Sequence, residues 1–213
     1  MSLAIGATDR ARFRERALRL EYFTVGWTLI EAGVGVSTAV LASSVALLGF
    51  GIDSVIECAS ATALIWRLVA ERRALDHAAI EQLDQRAHKL VALSLFGLSA
   101  YIVIDAAWTL WRGDHPHPTV VGVALTTVTM GVMYWLARAK RRAAAALGSR
   151  ALAADSFQAT ACLWLSLITL VGVGLNALFG WWWADPAAAI CMPLFLIQEG
   201  RQAWRGEDCC SPR

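Results

Sequence analysis

The 213-residue chain is 57% hydrophobic and 17% charged, with a mean hydropathy of +0.51, against roughly 45–50% and about 25% in soluble domains. An ordinary soluble globule is excluded, and so are collagen-like and disordered chains. Its five cysteines do not make a disulfide scaffold, because Cys58, Cys162 and Cys191 fall in apolar segments and only Cys209 and Cys210 lie outside. The net charge of +2 says little until it is placed along the chain.

Apolar runs between charged boundaries predict six transmembrane helices, over 19–41, 43–66, 89–111, 118–138, 152–175 and 181–203. Each is near the ~20 residues a helix needs to cross a bilayer. The expected fold class is therefore all-α, a polytopic membrane protein, with a basic N-terminal segment over 1–18, a six-helix domain over 19–203 and a short tail over 204–213. Small residues around Ala42-Ser43-Ser44 predict a tight hairpin between the first two spans. Gly113-Asp114-His115-Pro116-His117-Pro118 ends the third and precedes the fourth, its prolines breaking one helix and starting the next. Trp181, Trp182 and Trp183 fit an interfacial anchor, and Asp185-Pro186 fits a capped start for the last helix.

Basic residues orient the spans, since Lys and Arg flanking helices are retained in the cytoplasm. They cluster at Arg10–Arg19, at Arg67–Lys89, at Arg138–Arg150 and at Arg201–Arg213, which all fall on one side; Arg112 alone falls on the other. Both termini are thus expected in the cytoplasm and the protein in the inner or plasma membrane as a multi-pass chain. The basic clusters read as orientation signals, with no nucleic-acid partner implied. The first apolar run is too long for a cleavable signal peptide.

Five acids within the spans are singled out: Glu31 in the first, Asp53 and Glu57 in the second, Asp105 in the third and Asp155 at the start of the fifth. No Lys, Arg or His lies in a span interior to pair with them. Because a charge in the bilayer is costly, such unpaired carboxyls point to a site for an external cation or for protons. Asp53 and Glu57 are four apart and share a helix face; Asp155, Gln158 and Cys162 share a face of the fifth span. At about 1.5 Å per residue, Asp53 matches Cys162 in depth and Glu57 matches Gln158, so these four suit a divalent transition metal, Zn²⁺ first. Taken alone, Gln158 and Cys162 also suit a polar helix contact and a small buried hydrophobe. Glu31 and Asp105 are open between ligand or proton-coupling groups and protonated carboxyls bridging helices.

Three stretches then resemble the cation diffusion facilitator family of metal/proton antiporters: Ser44 to Glu57 with its Asp53-Ser54-Val55-Ile56-Glu57, Ala154-Asp155-Ser156-Phe157-Gln158-Ala159-Thr160-Ala161-Cys162, and Trp183-Ala184-Asp185-Pro186 running to Glu199-Gly200. The resemblance covers the six-helix part and implies a secondary transporter, not an enzyme, that exports a divalent metal ion in exchange for protons. It implies a homodimer, here through membrane helices because the family's cytoplasmic domain is missing, and no permanently bound cofactor. Where the family has Asp, then His and Asp, this chain has Glu57, Gln158 and Cys162, so that Asp155 or Glu31 can be recruited and softer ions favoured. Proton-coupled export of another cation, or a membrane metal sensor that does not transport, are the alternatives. Gly49-Phe50-Gly51-Ile52-Asp53 is one residue too long for the Gly-x-Gly-Asp pattern of intramembrane aspartyl proteases.

Metal-ligating types also occur outside the spans. His77 with Glu81 and Asp84 with His88 are helically spaced, either an ion-capture site or a solvated helix face. Cys209 and Cys210, beside Glu207 and Asp208, form a candidate soft-metal site. Asp114, His115 and His117 cluster in the outer loop.

Overall fold

The computed structural model describes residues 7–72, 77–117 and 119–205, with side chains described for 12–69, 89, 91–117, 119–149, 152–153 and 155–204. These residues form six helices: α1 Ala7–Ala42, α2 Val45–Arg72, α3 His77–Arg112, α4 Val120–Leu147, α5 Arg150–Phe179 and α6 Ala184–Arg205. No strand occurs among the described residues. Helices α1 to α5 are long and apolar enough to cross a membrane. Helix α6 has 22 residues, about 33 Å of rise, but is more polar. Its acids Asp185 and Glu199 are buried against other helices, which keeps them out of the lipid.

The surface is that of a protein solvated by hydrocarbon. Leu29, Ile30, Val40, Leu41, Ile104, Leu178 and Leu194 face outward. Thr24, Thr28, Ser99, Thr126, Ser166 and Thr169 face inward, and each hydroxyl donates to the carbonyl four residues before it. A buried hydroxyl in a helix satisfies itself this way when no water is at hand. The result is an all-α polytopic membrane protein.

Helix α1 packs most extensively on α2, α4 on α5, and α3 on α6; α2 is central, touching α1, α3, α5 and α6. Arg12–Arg19, Arg67, Arg138–Arg142 and Arg201 lie toward the end where α1, α3 and α5 begin and α2, α4 and α6 finish, here the basic end. Helices α4 and α5 are well capped. Thr119 caps α4 by accepting from Gly122 N–H at 3.2 Å. Gly148, at φ 62°, ends α4, and Ser149 at once caps α5 by accepting from Leu152 N–H.

This turn corrects the predicted spans: α4 runs nine residues beyond 138, to Leu147, and α5 begins at Arg150. The physical reason is the left-handed glycine, which stops a helix where the basic run Arg138–Arg142 does not. Lys140 therefore lies within α4 rather than in a loop. Asp185 is also corrected. It lies in the first turn of α6, but its carboxylate caps α2 instead, accepting from Ser44 Oγ at 2.5 Å, Val45 N–H at 2.9 Å and Ala46 N–H at 3.4 Å.

Candidate metal centre

The site is set by where α1 crosses α2. A Cβ on Gly51 would stand 2.9 Å from the backbone N of Val36 and 3.2 Å from the carbonyl carbon of Gly35, so the backbones meet there without intervening side chains. Glu31 lies one turn from Gly35 on α1, and Ser54 and Glu57 lie one and two turns from Gly51 on α2. The close crossing thus brings a carboxylate of α1 against the acidic face of α2. Glu31 Oε1 accepts from Thr129 Oγ1 of α4 at 2.7 Å, and Oε2 lies 3.3 Å from Ser54 Oγ. These hydroxyls orient the carboxylate from two sides, as partners around a metal ligand do.

Glu31, Glu57 and Cys162 each offer a ligand atom within 4.8 Å of the other two. All three are buried, and Glu57 Oε2 has no hydrogen-bond partner. A buried carboxylate oxygen without a donor is expensive, and a cation between these atoms would satisfy it. Two carboxylates and a thiol form a mixed O/S donor set that fits a borderline or soft divalent ion.

The remaining predicted residues divide. Asp53 is buried one turn from Glu57 but stands outside this tight group. Gln158, one turn before Cys162, is half-buried. Asp105 is not brought to the site: on α3 it is partly exposed, and Tyr101 donates to it at 3.3 Å. Asp155 corrects the expectation that no cation lies inside the bundle. Lys140 Nζ is 2.5 Å from Asp155 Oδ2 and 3.0 Å from Glu21 Oε2, all buried, because the extended α4 carries Lys140 inward. The side chains of His77, Glu81, Asp84 and His88 lie outside the described residues, as do Cys209 and Cys210. Asp114, His115 and His117 are exposed, the His115 ring resting 4.7 Å from that of Trp182.

Sequence reasoning gave no site role to Thr129, Glu21 or Lys140, nor to Ser54 and the buried Glu199 of α6, which it met only as parts of longer stretches. Most had a signal. Glu21, Thr24, Thr28, Glu31 and Gly35 recur every three or four residues on α1, and Thr126, Thr129, Met133, Leu136 and Lys140 do so on α4, each a single inward seam.

Over residues 25–205 the chain matches the family described as the cation efflux transmembrane domain. It belongs to the cation efflux family. Within that span lie all six helices from the middle of α1 onward and every residue of the buried cluster. The cation-efflux pump FieF of Shewanella oneidensis is 29% identical to the chain over 118 residues, which cover 52% of this chain and 40% of that protein. The chain thus matches two fifths of that relative's length. Membership in a family of transporters agrees with a site built inside the bundle rather than in a loop.

Proposed function

We propose that this cation efflux family member exports a divalent transition-metal ion, Zn²⁺ foremost, from the cytoplasm in exchange for protons. It acts as a multi-pass protein of the inner or plasma membrane with both termini in the cytoplasm, and it pairs through its membrane helices. The observation that carries the reading is the buried group Glu31, Glu57 and Cys162, with Glu57 Oε2 unpartnered. Carboxylates and a thiolate bind metal only when deprotonated, so binding releases protons and reprotonation releases the metal. One site then serves both ions, and alternating exposure couples their fluxes. Asp53 and Gln158, one turn from Glu57 and from Cys162, extend the donor set as the ion moves.

The test is metal-driven proton flux in proteoliposomes with Zn²⁺, Cd²⁺, Co²⁺, Mn²⁺ and Fe²⁺. Zn²⁺ or Cd²⁺ should move protons, and Glu57→Gln and Asp53→Asn should each lower the flux about tenfold or more. Folded protein with which no metal moves protons refutes the reading. Proton movement driven by a non-metal cation alone would identify the site as one for that cation instead.

A further inference from the structure

Among the described residues Lys140 is the only buried cation. Its ammonium faces Glu21 of α1 and Asp155 of α5, while Glu21 Oε1 is buried with no hydrogen-bond partner. Two carboxylates thus share one ammonium, and an acceptor oxygen is left over. A buried polar group is normally satisfied, so this oxygen is an acceptor that the ammonium does not use and a second cation contact would.

The position gives this a use. Asp155 is two turns before Cys162 on one face of α5, about 10 Å. Glu21 is ten residues before Glu31, about 15 Å, and Lys140 is three turns beyond Thr129 on one face of α4, about 16 Å. The same three helices therefore hold two polar layers along one line, with the Lys140 layer nearer the basic end. One turn further out, Leu18, Ala143, Ala144 and Leu152 pack with Leu64 and Leu68 into a separate apolar layer. Where this apolar layer parts, as exposure of the bundle to the basic end requires, a cation entering from that end meets Glu21 and Asp155 before Glu57 and Cys162, and finds Lys140 there.

We infer that Glu21 and Asp155 form a second, transient divalent-cation site, which Lys140 and the entering ion occupy in alternation. The inference rests on the transport reading above and adds an entry step to it. A divalent ion is attracted to two carboxylates more strongly than an ammonium is. The ammonium is tethered, however, and so is present at high effective concentration. The exchange is therefore near balance, as a relay requires. When the ion passes on to Glu57, Lys140 returns and its positive charge opposes backward movement.

Cd²⁺ binding to the purified chain in detergent, in a Cys209→Ser/Cys210→Ser background that removes the tail thiols and serves as wild type here, tests this by stoichiometry. Wild type should bind tightly about one ion per chain, Lys140→Gln about two, and Lys140→Gln/Asp155→Asn about one again. Glu57→Gln in the wild type removes the first ion, and so tests the transport reading separately. Folded Lys140→Gln that still binds one ion, or a second ion that survives Asp155→Asn, overturns the inference. Because Lys140→Gln strands two buried carboxylates and can unfold the chain, a second measurement leaves Lys140 in place. The chain has two lysines, Lys89 and Lys140, so in Lys89→Arg amine labelling read by peptide mass spectrometry reports Lys140 alone. Cd²⁺ beyond what fills the first site should speed that labelling about threefold or more, through the displaced population. An unchanged or slower rate overturns the inference.

Discussion

Replacing Asp185 with Ala should loosen the end of the bundle opposite the basic one without touching the proposed metal site. Its carboxylate is buried and accepts from Ser44 Oγ at 2.5 Å and Val45 N–H at 2.9 Å, with Ala46 N–H at a marginal 3.4 Å. A hydrogen bond to a charged acceptor contributes about 1.5–3 kcal/mol, and an orphaned buried donor costs about 1–3 kcal/mol. Part of this is offset: Ser44 Oγ already accepts from Leu47 N–H at 3.1 Å and keeps doing so, and removing the carboxylate also removes its own desolvation. The net loss is about 3 kcal/mol, the favourable placement of a negative charge at a helix N-terminus included. Asp185→Asn retains one acceptor oxygen and should lose about 1 kcal/mol. Equilibrium unfolding in mixed micelles with increasing SDS measures both. Val45 is about 12 Å along α2 from Asp53 and about 18 Å from Glu57, so Cd²⁺ stoichiometry should stay at the wild-type value. An Ala variant within about 0.5 kcal/mol of wild type would show that α6 does not hold the start of α2, against the reasoning from capping.

Three other substitutions probe the centre itself. Thr129→Val keeps the side-chain shape but removes the donor at 2.7 Å from Glu31; isothermal titration with Zn²⁺ should show affinity about tenfold weaker, with stability lower by only about 1 kcal/mol. Gly51→Ala places a methyl 2.9 Å from the Val36 backbone N, so unfolding should become easier by about 1–3 kcal/mol. Zn²⁺ affinity should fall with it as Glu31 moves away; undiminished affinity would mean that the crossing does not position Glu31. Cys162→Ser exchanges a soft donor for a hard one, and competition binding should lower the preference for Cd²⁺ over Mn²⁺ about tenfold, whereas an unchanged ratio removes the thiol from the coordination sphere.

The helices were legible because lipid leaves few alternatives: backbone polar groups in hydrocarbon must be satisfied within a helix or a closed barrel, and long apolar runs decide which. Their ends were less legible. Hydropathy places the end of the fourth span at Arg138, where charge begins, yet the helix continues until Gly148 permits the left-handed turn. Composition reports where the lipid ends, and backbone chemistry reports where the helix ends. The two differ by nine residues on α4, and Lys140 lies in that gap.

The same gap explains what could and could not be read at the centre. Asp53 and Glu57 stand out because two acids four apart in an apolar run have no other ready account; the depth match on antiparallel helices reached Cys162 but paired it with Asp53, whereas the structure seats it with Glu57, one turn away. Glu31 was visible as a lone acid, but its assignment required the Gly35–Gly51 crossing, a contact between helices that no single-helix periodicity contains. Lys140 shows the reverse. Its seam with Thr126, Thr129, Met133 and Leu136 is present in the sequence, but it sits in the basic run Arg138–Arg142, which orientation already accounts for. A charge cluster serving two purposes is assigned to the more common one, and only burial separates them: Arg138, Arg141 and Arg142 are exposed while Lys140 is fully buried. In a helix at the edge of a membrane, the face a cation occupies therefore tells more than its place in the run, since the inward seam alone leads to carboxylates such as Glu21 and Asp155.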